Sequence, residues 1–251
     1  MIDMTLTQLI APALIIASLT TSSRTAAAAE PPTVDSILAR VIEATGGKEA
    51  MQKVHSRVMR FKLESETFGN VDGEAFAAVP NKMRSHVDLG APGAIDNGFD
   101  GTVAWGKSPW EGLRVKSGGE MEKVRRDAEF NQFLNLKSLC PGLAYKGTEK
   151  VGEEEAYVLE SKPSASSKEK FWFGAKSGLL IRQESEFEGP QGVVNVSLLN
   201  QDYKTFDGLK YPGLVKLSFS AGGQSIGFTM RFSDVKHNVQ IEAAKFAKPA
   251  E

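Results

Sequence analysis

Ser56-Arg57-Val58-Met59-Arg60-Phe61-Lys62-Leu63-Glu64 decides the fold. Met59, Phe61 and Leu63 alternate with Arg60, Lys62 and Glu64. A period of two places alternate side chains on opposite faces of a strand, here one apolar and one wet. The same reading holds for Met83, Ser85, Val87 and Leu89 against Lys82, Arg84, His86 and Asp88. Val79-Pro80-Asn81 supplies the turn before that strand. Further strands are expected near 95–105, 111–117, 143–151, 155–161, 168–174, 178–188, 192–203, 211–220 and 224–236. Turn signals separate them at Asp100-Gly101, Ser117-Gly118-Gly119, Ser177-Gly178, Asp207-Gly208 and Gly222-Gly223. No low-complexity linker divides this run, so one antiparallel sheet in one domain is the economical reading.

Two segments break the period. Thr33 is a good N-cap, and Val34, Ile37, Leu38, Val41 and Ile42 follow helical spacing until Gly46-Gly47. Glu120 to Leu139 reads as one helix, with Met121, Val124, Ala128, Phe130, Phe133 and Leu134 apolar and Pro141-Gly142 as its stop. A sheet of many strands curls, and two helices would cover its concave side. The fold class expected is mainly β with a few helices.

Ahead of the sheet, Leu9 to Leu19 is an apolar block the length of a signal-peptide core and too short to span a bilayer comfortably. Small residues at Ala26-Ala27-Ala28-Ala29 fit cleavage after Ala29, although Asp3 stands where a basic residue is usual. The expectation is a signal peptide at 1–29, a domain at 30–251, and an exported, soluble protein.

Composition narrows the chemistry. The 251 residues are 41% hydrophobic and 24% charged, with 30 Lys+Arg against 31 Asp+Glu, for a formal net charge of -1. That balance argues against a nucleic-acid partner, which calls for a basic face. One cysteine, Cys140, excludes an intrachain disulfide and a Cys-based zinc site, and reads as a buried small hydrophobe. His55, His86 and His237 lie far apart in sequence and read as surface or rim residues. Thr45-Gly46-Gly47-Lys48 lacks the upstream glycine of a phosphate loop and has Glu49 where Ser or Thr is needed. No nucleophile or zinc-protease motif is present. No catalytic residue, metal or cofactor is therefore expected.

What remains is an apolar inventory with 14 Phe and 3 Trp. Met59, Phe61, Leu63, Phe76, Met83, Val87, Trp105, Phe171, Phe173, Phe228 and Met230 are the candidates for the wall of an apolar ligand cavity. Ile37, Leu38, Val41, Val124, Phe130, Phe133 and Leu134 are the candidates for the helical cover. Alternation alone does not separate a cavity wall from a packed core.

A series of short motifs runs through Gly73-Glu74-Ala75-Phe76, Val79-Pro80-Asn81-Lys82-Met83 and Phe99-Asp100-Gly101-Thr102-Val103-Ala104-Trp105. It continues through Ala156-Tyr157-Val158-Leu159, Lys170-Phe171-Trp172-Phe173, Ser177-Gly178-Leu179-Leu180 and Ala243-Ala244-Lys245-Phe246. In this order of elements the chain resembles the periplasmic lipoprotein carriers, LolA with its outer-membrane partner LolB. Each motif is weak; their collinear order carries the weight. The resemblance implies an unclosed antiparallel β-barrel with helices over its concave apolar face. It implies a periplasmic protein that binds lipoprotein acyl chains or lipid in transit towards the outer membrane. An inner-membrane donor and an outer-membrane acceptor would be its partners. A sensor of lipid or lipoprotein acting through a protein partner is the alternative on the same fold. The chain departs from the family at Val79, where the carriers have an arginine that ties sheet to lid. Lys82 and Arg84, the nearest basic residues, fall on the outer face by alternation. Extra length is expected around 106–120 and 201–214.

Overall fold

A computed structural model describes residues 30–250, apart from Phe68 and Gln191. The expected signal peptide lies outside the described residues. The chain from Pro32 onward forms one unit. Helices α1 (Val34–Thr45) and α2 (Lys48–Gln52) precede strands β1 (Ser56–Ser65), β2 (Gly69–Ala78), β3 (Lys82–Asp88), β4 (Ala94–Phe99), β5 (Ala104–Ser108) and β6 (Gly112–Val115). Helices α3 (Gly118–Asp127) and α4 (Gln132–Leu139) follow. The chain then adds β7 (Ala144–Val151), β8 (Glu154–Ser164), β9 (Ser167–Gly174), β10 (Leu180–Gly189) and β11 (Gly192–Gln201). It ends with β12 (Lys204–Phe206), β13 (Leu209–Tyr211), β14 (Leu214–Ala221) and β15 (Gln224–His237).

Thirteen strands form one antiparallel sheet in the order β6-β5-β4-β3-β2-β1-β15-β14-β11-β10-β9-β8-β7. β6 and β7 are its free edges, so the barrel is unclosed. The curl is visible in α3, which packs on β5 near one edge and on β10 towards the other. A β-carbon on Gly119 of α3 would stand 2.5 Å from the Glu188 carbonyl oxygen of β10, so this close approach requires glycine.

Local chemistry accounts for the helices. The Ser36 amide donates to Thr33 Oγ1 at 3.1 Å, as the N-cap reading expects. Gly46 ends α1 at φ 134, against the Gly208 carbonyl of the β12–β13 hairpin. That hairpin is a separate two-stranded sheet and occupies the 201–214 stretch.

Two expectations are corrected. The strand expected at 95–105 is two, β4 and β5. Asp100 Oδ1 accepts the amides of Thr102 and Val103 at 2.8 and 2.7 Å and turns the chain there. The single helix expected over 120–139 is also two. The Phe130 amide donates to the Pro80 carbonyl at 3.1 Å, and its ring is buried against Met51, Val54 and Leu209. Burying that ring takes residues 128–131 out of the helix.

Candidate functional site

Strand register assigns every side chain to a face. Met59, Phe61 and Leu63 of β1 oppose Ala75, Gly73 and Val71 of β2, and Gly73 opposes Val87 of β3. Across β1, Phe61 and Leu63 oppose Phe232 and Met230 of β15. The inner face continues through Phe228 and Leu217 to Leu198, and through Ile226 and Phe219 to Val196. A β-carbon on Gly73 would collide with the Phe61 ring, so the glycine lets that ring lie flat across the strands.

The helices cover the flanks of this face. Ile37, Leu38 and Val41 of α1 and Leu136 of α4 are buried with Leu159, Phe171, Phe173 and Leu180, with Phe133 packed against them. Val124, Met121 and Ala128 meet Phe99, Ala104 and Met83. Phe130 and Leu134 sit with Met51, Val54 and Leu209. Between the flanks lies a third cluster. Phe61, Leu63, Val215 and Phe232 form its floor, with Met59, Val71, Ala75, Val87, Leu198, Phe228 and Met230 half-buried around them. Among the described residues all its members come from strands. Phe219 and Ile226, 37% and 38% exposed, extend it to the rim. This is an apolar trough six strands wide, about 24 Å at the usual interstrand spacing of about 4.8 Å.

The residues expected to share one cavity therefore divide three ways. Met59, Phe61, Leu63, Val87, Phe228 and Met230 meet in the trough. Met83, Phe171 and Phe173 lie on the same face but under helices, as core. Phe76 and Trp105 stand on the opposite, outer face. Phe76 pairs with Arg84, Arg84 with Gly98 and Gly98 with Trp105, one residue out of phase with the inner row. Trp105 is 0% exposed because the C-terminal segment covers it. Its indole Nε1 donates to the Phe246 carbonyl at 3.0 Å, and Phe246 is 1% exposed. The ammonium of Lys245 lies 4.3 Å from the Phe76 ring centroid.

Elsewhere the outer face is wet. Arg60–Glu74, Lys62–Asp72, Arg231–Glu64 and Lys168–Glu186 are ion pairs on it. Arg84 and His86 both reach Asp96 Oδ1, at 2.7 and 3.0 Å. Hollows of 1360, 690 and 580 Å³ are lined mainly by such polar outer-face residues. Apolar residues of the inner face enter their walls only in small numbers, Leu217, Ile226 and Phe228 in the first, Val196 in the second and Phe61 and Phe232 in the third. The trough is accordingly an open face and not a closed chamber.

Two polar features escaped the sequence reading. Arg57 points inward, with its guanidinium 5.3 Å from the Phe130 ring and 5.1 Å from the Tyr211 ring. It ties β1 to the interhelical segment and to the β12–β13 hairpin, whereas Arg84 is on the outer face as alternation expects. Tyr211 Oη in turn meets His237 Nε2 at 2.9 Å, and His237 Nδ1 meets Asp207 Oδ2 at 3.1 Å. The His237 side chain is 4% exposed, so it is not a surface histidine. The second feature is the polar face of α3. Arg114 donates twice to Glu120, at 2.6 and 2.8 Å, which holds the Glu120 carboxyl below the usual range. Arg126 reaches Glu169 at 3.3 Å, and Glu169, 3% exposed, also accepts from Ser185 at 2.6 Å. Lys123 pairs with Asp127. Among the described residues no three His, Cys, Asp or Glu side chains stand together as metal ligands. No helix among them is long and apolar enough to cross a membrane.

An unclosed antiparallel barrel with helices on its concave apolar face defines the LolA-like fold, and solved structures bear this out. One is a DUF1329 family protein from Desulfovibrio piger, at TM-score 0.53 and 14% identity over 85% of this chain and 97% of that one. Another is the LolA superfamily protein NE2245 from Nitrosomonas europaea, at TM-score 0.52 and 14% identity over 87% of this chain and 99% of that one. No family model matches the chain, and no curated protein does.

Proposed function

We propose that this protein binds acyl chains of lipid or lipoprotein along the inner trough, as an exported, non-enzymatic binder or carrier working towards the outer membrane. The observation that carries the reading is the half-buried cluster around Phe61, Phe228 and Met230, which is built from strands between helix-covered flanks. Each methylene moved out of water contributes about 0.8 kcal/mol, so a chain laid along such a surface gains several kcal/mol. One acyl chain reaches about 15 Å, half of a bilayer's roughly 30 Å hydrocarbon core, and fits within the trough's width. The helices give the cover that a carrier needs, and Arg57 on Phe130 and Tyr211 is a tie that can let go without unfolding the sheet. The resemblance of the motif order to the lipoprotein carriers supports the same reading, as does the LolA-like fold.

The neutral probe N-phenyl-1-naphthylamine tests it directly. The wild-type protein should bind the probe, and Met230→Asp should weaken binding at least tenfold with the melting temperature nearly unchanged. Absence of binding to the wild type would remove the basis of the proposal.

A further inference from the structure

Lys116 follows β6 and turns its side chain to the inner face. Its Nζ donates to Asn97 Oδ1 at 2.9 Å. Gly106 makes room for it, since a β-carbon there would stand 3.4 Å from Lys116 Cε and 3.2 Å from Asn97 Oδ1. Among the described residues no carboxylate lies within ion-pair distance of this ammonium. The nearby acids are engaged elsewhere, Glu120 by Arg114 and Asp127 by Lys123. Burial pulls the Lys116 pKa below the ordinary lysine value, against the opposing influence of Glu120, Asp127 and Glu111. A half-buried ammonium held by a neutral amide oxygen is short of compensation.

Its position gives this shortage a use. Asn97 opposes Ser85, Ser85 opposes Ala75, and Ala75 opposes Met59. One cross-strand row therefore runs from the ammonium through two hydrogen-bonding side chains onto the trough. Val87 and Ile95 stand two residues further along the same strands, about 7 Å away at about 3.3 Å per residue.

We propose that Lys116, with Asn97 and Ser85, is a head-group site for an anionic acyl lipid whose chain lies in the trough. The site rests on the trough reading and adds polarity to it: the anionic end sits at the β3–β5 side and the tail runs towards β15. A charge-assisted hydrogen bond to a carboxylate or phosphate oxygen is stronger than the present bond to an amide. Carboxylate and phosphate heads share this chemistry, and a free anion has the charge without the chain.

The test is displacement of N-phenyl-1-naphthylamine at pH 7 by palmitate, by methyl palmitate and by inorganic phosphate. Palmitate should compete at least tenfold more strongly than the ester, and phosphate alone should not compete. Lys116→Met should abolish the acid's advantage while leaving the ester unchanged, and Lys116→Arg should keep part of it. Asn97→Ala, which leaves the ammonium in place, should narrow the advantage should Lys116→Met fail to fold. Equal competition by acid and ester on the wild type would overturn the head-group site and leave the trough standing. An equal loss of both ligands in Lys116→Met would mean that the lysine serves only the fold. If neither lipid displaces the probe, trough and head-group site fall together.

Discussion

Phe246→Ala separates the two faces of the sheet. Phe246 is 1% exposed and seals Trp105, which is 0% exposed, on the outer face. Truncating a buried Phe to Ala costs about 3–5 kcal/mol through lost transfer energy and the cavity left behind. If the segment lifts, the Trp105 indole N–H loses its Phe246 carbonyl, and Arg84 loses its 3.2 Å bond to the Lys245 carbonyl. An orphaned buried donor adds about 1–3 kcal/mol, or less where water reaches it. A domain of this size shifts by about 2–4 °C per kcal/mol, so the truncation alone lowers Tm by roughly 6–20 °C, and the orphaned donor adds to that fall. The assay is calorimetry with tryptophan emission, which should shift to the red as Trp105 meets water. Probe binding to the folded variant should stay within about twofold of wild type, because Phe246 lies across the sheet from Phe61 and Met230. A Tm change under about 2 °C, or a probe affinity that falls with it, would refute the partition of faces.

Three further outcomes follow from named contacts. Cys140 is 2% exposed and burial pushes its thiol up to about 12, so alkylating reagents should leave it unmodified in the native state and modify it after unfolding. Glu169→Gln should cost about 3–5 kcal/mol in denaturant midpoint analysis, because it strands the buried Arg126, whereas the double change with Arg126→Met should cost less than the sum. The unfolded chain binds the Lys116 proton more tightly than the fold does, so this group makes stability rise with pH until about 10.4, the ordinary lysine value. Wild type should therefore gain on Lys116→Met through that alkaline window in paired urea titrations, and a constant difference would contradict the partial burial of the ammonium.

Periodicity gave the inner faces of β1 and β3 correctly, because large apolar residues alternate there with charges. It failed at β2 and β5 for a definite reason. Their inner positions hold Ala75, Ala77, Ala104 and Gly106, so the largest apolar residues, Phe76 and Trp105, drew the inward assignment. Alternation fixes a side chain's phase within its own strand; only register fixes it relative to the next strand. The partner that makes Trp105 a buried residue lies 141 positions away, beyond any local pattern. The break between α3 and α4 was hidden likewise, since Phe130 suits a helical stripe and leaves it only to fill a tertiary site. The core under α1 was legible as hydrophobic, but nothing in the sequence told Phe171 and Phe173, which the helices cover, from Phe228 and Met230, which lie outside the helical cover. Arg57 shares the phase of Met59, Phe61 and Leu63, so alternation puts it on the inner face; what no local pattern shows is the pair of rings, Phe130 and Tyr211, that receive it there.

Native mass spectrometry of the protein purified from its native cells without added lipid tests the central claim most directly. Binding along the trough predicts a mass increment that dissociates as lipid or acylated peptide and is diminished in Met230→Asp. A protein that carries nothing, and that also ignores N-phenyl-1-naphthylamine and palmitate, would contradict the account.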